Sequence, residues 1–109
     1  MANAYKILGQ LADASANDVT LYTVPGSTET VISSIIVCNR ESAANTFRLA
    51  IKNNGGSVAN EDYIAFDTSI AANDTVTLTL GITLDATDVI CAGASDANVT
   101  FSVFGTEIS

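Results

Sequence analysis

The sequence predicts an all-β protein: a single antiparallel two-sheet β-sandwich, jelly-roll or Ig-like, of about eight strands. Three observations predict it. Segments rich in Val, Ile, Thr and aromatic residues recur at intervals of about eight to twelve residues. Clusters of Asn, Asp, Ser and Gly separate them, and no segment holds a helical period. The chain of 109 residues is near the common domain size, so 1–109 reads as one domain with one core.

The elements follow in order. Tyr5 to Leu11 reads as a first strand with a bulge at Gly9, and residues 1–10 as an edge strand or a docking arm. "DVTLYTV" (18–24) is the second and ends at Pro25-Gly26, where a type II turn would put Gly26 at positive φ. "ETVISSIIVCN" (29–39) is apolar at both parities, Val31, Ile35 and Val37 on one face and Ile32, Ile36 and Cys38 on the other. Such a strand is central and covered on both sides, by a second sheet within and, without, by a subunit rather than by a loop of its own chain.

The later strands alternate. In "NTFRLAIKN" Phe47, Leu49 and Ile51 face the core, and in "EDYIAFD" Ile64 and Phe66 face it while Tyr63 is more exposed. In "DTVTLTLG" Val76, Leu78 and Leu80 share the inner face. "DVICAGA" is short and rich in small residues. In "ANVTFSVFG" Val99, Phe101 and Val103 point in, and Thr100, Ser102 and Phe104 point out. "NNGGSVANED" (53–62) is the longest connection, expected as a mobile, protruding loop that includes Asn54, Gly55 and Gly56.

Charge and composition narrow the function. Twelve acidic residues against four basic ones give a formal net charge of -8, which repels phosphate backbones and anionic lipid, so neither nucleic acid nor a membrane is an expected partner. No secretory h-region opens the chain, and synthesis in the host cytoplasm is the expectation. Histidine is absent, which removes Ser/His and Cys/His nucleophile systems. Glu61 with Asp62, on opposite faces of a strand, and Asp85 with Asp88, flanking a turn, are poor acid/base pairs. No enzyme, cofactor or metal site is expected. Turn chemistry explains Asp85 and Asp88 better than calcium does. Cys38 and Cys91 read first as buried thiols, with a disulfide between facing strands left open.

Interface residues are the remaining candidates. The parity of Tyr5, Tyr22, Tyr63 and Phe104 puts these rings outward or at an edge, where subunit contact is the economical use. With Val31, Ile35 and Val37 of the doubly apolar strand and Asn54, Gly55 and Gly56 of the long loop, they form the candidate site.

"TLYTVPGSTETVISSIIVCN", "NTFRLAIKN", "YIAFD", "IAANDTVTLTLGITLDATDVI" and the closing "NVTFSVFGTEIS" together resemble a module of tailed-bacteriophage structural proteins, over about residues 18–107. The resemblance implies a virion β-sandwich that works by assembly. A capsid decoration or cement protein, bound to the major capsid protein or other virion proteins, is the leading expectation, since the module stands alone. A head-fibre, collar or tail-associated component, in contact with the host surface, is the alternative. A carbohydrate-binding β-sandwich is the third. Self-association is expected, with a trimer favoured.

Overall fold

The computed structural model describes residues 2–79 and 81–109. Nine strands are present among them: β1 Asn3–Leu11, β2 Val19–Thr23, β3 Glu29–Asn39, β4 Asn45–Lys52, β5 Tyr63–Ile70, β6 Thr75–Leu78, β7 Ile82–Leu84, β8 Val89–Ala94 and β9 Val99–Ile108. One sheet has the order β1-β9-β3-β6, with β7 also paired to β3; the other has the order β2-β8-β4-β5. All pairings are antiparallel.

The order has a simple origin. The chain is a ribbon folded in half about residues 53–62, so that β1 meets β9, β2 meets β8, β3 meets β6 and β7, and β4 meets β5. Rolling that ribbon into two layers gives the jelly-roll, which decides between the two expected topologies. The added strand comes from the Thr-rich segment, where β6 and β7 run in succession along β3. Leu80, expected to face inward with Val76 and Leu78, lies outside the described residues.

The core lies between the sheets. Ile32, Ile35 and Val37 of β3, Phe47 and Leu49 of β4, Ile90 of β8, and Val99, Phe101 and Val103 of β9 fill it, and Phe47 meets Phe101 edge to face at 6.4 Å. The alternations read in β4 and β9 hold, because neither strand carries a break in its own face.

Elsewhere, bulges move side chains. The pairing of β3 with β9 slips between Ile32 and Ser34, which leaves Ser33 as an extra residue. Before the slip, even positions face inward; after it, odd positions do. Ile35 and Val37 are thus 0% exposed and part of the core, and Val31, expected on their face, points outward. In β2, an edge strand of its sheet, a slip between Thr20 and Tyr22 lets Leu21 and Tyr22 both turn inward, so Tyr22 lies at an edge but is 7% exposed rather than facing outward.

In β5 a slip pairs Ala65 with Leu49 but Tyr63 with Ala50. Ala65 packs on the core, Ile64 and Phe66 are exposed, and Tyr63 is half-buried, the reverse of the expected facing. At the Pro25 corner the left-handed residue is Ser27, with φ 57°, and Gly26 is not among the residues at positive φ.

Within this chain the strand covered on both faces is β8, and the outer face of β3 is left open. Ile90, Ala92 and Ala94 face the core, while Val89 and Cys91 join Ala50 in a second cluster on the outer side. Its cover is the chain's own 53–62 loop, whose Val58 packs there beside Tyr63. The loop is pinned as well: Asn54 N–H donates to Asp88 Oδ1 at 2.8 Å, the Thr87 hydroxyl donates to Asn54 Oδ1, and Ala59 N–H donates to Asp62 Oδ2 at 2.8 Å.

Asn39, at the end of β3, is the buried fastening of the opposite end. Its Nδ2 donates to the carbonyls of Ala43 at 2.9 Å and Ala71 at 3.1 Å, and its Oδ1 accepts from Glu41 N–H and Asn45 Nδ2, both at 3.1 Å. Two loops, 40–44 and 71–74, and the start of β4 are joined through one amide.

Candidate assembly face

The outer face of the five-stranded sheet follows from the register. Tyr5, Thr106, Val31 and Thr83 lie in one row across β1, β9, β3 and β7. Ile7, Phe104 and Ser34 form the next, then Gln10, Ser102, Ile36 and Thr77, then Thr100, Cys38 and Thr75. None of these side chains is charged, in a chain that carries 16 Asp, Glu, Lys and Arg residues. The first charged residue met along β3 is Glu29, beyond the rows. Tyr5 is 80% exposed, Ile7 55% and Val31 40%, while Ile36, Cys38 and Phe104 are half-buried by their neighbours. β1 is also an edge strand, paired only with β9 among the described residues. An uncharged sheet face of mixed apolar and hydroxyl side chains, with an open edge, is a surface prone to partners.

The other outer face differs. Arg48 stacks over Phe66 at 4.1 Å and pairs with Asp67, Nε to Oδ1 at 2.6 Å; Tyr63 meets Phe66 edge to face at 4.9 Å and donates to Asp18 at 3.2 Å. The Arg48 guanidinium holds the Asp67 carboxyl below its ordinary range. Charge and the 53–62 loop together occupy this side.

The sequence candidates thus separate. Tyr5, Val31 and Phe104 come together on the uncharged face. Ile35, Val37 and Tyr22 are inside the sandwich, where they hold it together. Asn54, Gly55 and Gly56 are exposed in the loop that caps the other sheet, and Tyr63 packs beneath it. Ile7 and Ile36, passed over in the sequence, belong to the uncharged face. Strict alternation sets Ile36 on the face opposite Val31, and the Ser33 bulge brings the two onto one side. Ile7 had a signal, since it follows Tyr5 at strand spacing.

Asp85 and Asp88 are engaged in a turn. Asp88 Oδ2 accepts from Asp85 N–H at 2.9 Å, and Asp85 Oδ1 accepts from Ala86 N–H at 2.8 Å. Cys38 and Cys91 are free thiols on the outer sides of opposite sheets, with the core between them. Burial pushes the Cys91 thiol up from its ordinary pKa.

Tyr22 and Glu107, 85 residues apart in the sequence, meet. The Tyr22 hydroxyl donates to Glu107 Oε2 at 2.6 Å and takes the Thr30 hydroxyl proton at 2.9 Å, while Lys6 Nζ sits 2.7 Å from Glu107 Oε1. This clasp ties β1 and β9 to the other sheet. Lys6, then Tyr22, hold the Glu107 carboxyl below its ordinary range.

Burial, then Glu107, pushes Tyr22 up to about 12. An unfolded tyrosine titrates near pH ~10. The stabilisation from protonated Tyr22 is therefore complete below that value and is lost as pH rises toward about 12. Denaturant midpoints measured across this window should fall in the wild type and fall less in Tyr22→Phe, which starts lower.

The arrangement defines a class: a jelly-roll β-sandwich with one charged, capped outer face and one uncharged, open one. No family model matches the chain. No curated protein matches it. Among solved structures, a chain in the structure of infectious bursal disease virus, Gx strain, aligns with 97% of this chain at 8% identity and a TM-score of 0.50. A chain in the structure of the Gt strain aligns with 96% at 7% identity and a TM-score of 0.47. The protein spans about a third of those chains, 30% and 31% of their lengths. At this identity the likeness is one of fold.

Proposed function

We propose that the protein is a non-enzymatic virion structural subunit, and within that class a tailed-bacteriophage capsid decoration or cement protein. It binds the outer shell in many copies and braces neighbouring shell subunits. The observation that carries this reading is a jelly-roll, an architecture that recurs in capsid domains, with four rows of one sheet face uncharged and open. The fold likeness to a chain of a virus structure, over nearly the whole of this chain, supports it. Bracing needs no chemistry. A subunit that binds only the assembled shell shifts the shell away from disassembly by mass action.

The test is the copy number of the chain in purified particles, by quantitative mass spectrometry against the major shell protein. A fixed ratio at hundreds of copies is the expected result. A few to a few dozen copies would reassign the protein to a vertex, collar, head fibre or tail. Absence from particles would remove the virion reading altogether.

A further inference from the structure

The uncharged face carries an inference that rests on reading the protein as an assembly subunit. We infer that its occupant is a second copy of this chain, paired across a twofold axis, sheet against sheet. Four strand positions at about 4.8 Å spacing and the four rows along β9 give a footprint of roughly 20 by 24 Å, before side-chain relief is counted. Two such footprints, roughly 900 Å² in projection, exceed ordinary lattice contacts and approach the ~1,200 Å² at which specific interfaces begin.

Charge selects the partner. Each copy carries a formal charge of -8, so two copies that meet through any acidic surface set like charges against one another. Across the four rows they meet without a carboxylate on either side. The chemistry is also self-complementary, as a twofold interface requires. Thr75, Thr77, Thr100, Ser102 and Thr106 have hydroxyls that both donate and accept, so one face can pair with its own image. Phe104 and Ile36, half-buried near the middle of the rows, supply the apolar area there.

Sedimentation velocity of the purified full chain over a wide concentration range tests this. The wild type should sediment as a dimer. Ser102→Glu, which sets like charges against each other in the middle of the face, should weaken association by at least about 100-fold. Thr68→Glu, exposed on β5 of the other sheet, should leave it unchanged. Circular dichroism melts establish that each variant folds, and Gln10→Glu, exposed on β1 in the same row, replaces Ser102→Glu if that variant does not. A wild type that stays monomeric, a trimer, or a dimer indifferent to both substitutions overturns the inference. The purified chain suffices, so a monomer leaves the virion reading to the copy-number measurement, and absence from particles leaves a measured dimer standing.

Discussion

Gly105→Ala should cost about 3 kcal/mol of folding stability, seen as a loss on the order of 10 °C in Tm. The cause is close backbone approach. A Cβ at this position would stand 2.2 Å from the Val31 carbonyl oxygen and 3.1 Å from both Ile32 Cα and Leu8 Cδ1. Two of these are main-chain atoms of the central strand, just before the Ser33 bulge, and cannot swing aside as a side-chain tip can. The methyl group therefore has to separate β9 from β3 in the middle of the sheet. Gly56→Ala is the matched control, since nothing lies within 4 Å of a Cβ there, and it should shift Tm little. Equal losses at both positions would show that glycine's effect on the unfolded chain, and not the approach at Gly105, sets the cost.

Asn39→Ala should be of similar size or larger, at roughly 3–4 kcal/mol, because the loss is paid twice. The donors and acceptors that Asn39 engages disappear, and the partners left behind, the carbonyls of Ala43 and Ala71 and the Asn45 amide, have to find other bonds at a site where Asn39 itself is 1% exposed. Asn39→Asp keeps the acceptor for Glu41 N–H but sets a carboxylate against two carbonyl oxygens, and should be no better than alanine. Denaturant unfolding of the two variants checks this. A loss under about 1 kcal/mol in Asn39→Ala would mean that water replaces the amide and that the loops are not fastened through it.

Much of the sandwich is legible in the sequence because its signal is local. β4 and β9 alternate without interruption, and Phe47, Leu49, Phe101 and Val103 take the predicted side. What is not legible comes from register, which is set between strands. "VISSIIV" contains no mark of an extra residue; the bulge at Ser33 lies where Gly105 and Phe104 of β9 pair with Ile32 and Ser34. That bulge sends Ile35 and Val37 inward and brings Ile36 round to join Val31.

β5 gives the same lesson with larger side chains. By hydrophobicity Phe66 outranks Ala65, yet the pairing with β4 places the small residue over the core and the ring outside under Arg48. The uncharged face was half visible for this reason. Tyr5 and Phe104 showed by parity, while the absence of charge over four rows shows only when strands distant in sequence are laid side by side.

The position of β9 bears on how the protein is made. β9 is not an edge strand. It fills the gap between β1 and β3, pairing Asn3 with Ile108 on one side and Asn39 with Val99 on the other. While the chain is being synthesised, the first and third strands can form but cannot complete a sheet. The uncharged face, of which β9 is an inner column, does not exist until β9 has emerged. A growing chain that still lacks β9 therefore has no finished surface with which to meet a neighbour on its ribosome, and one that stops before β9 never acquires it.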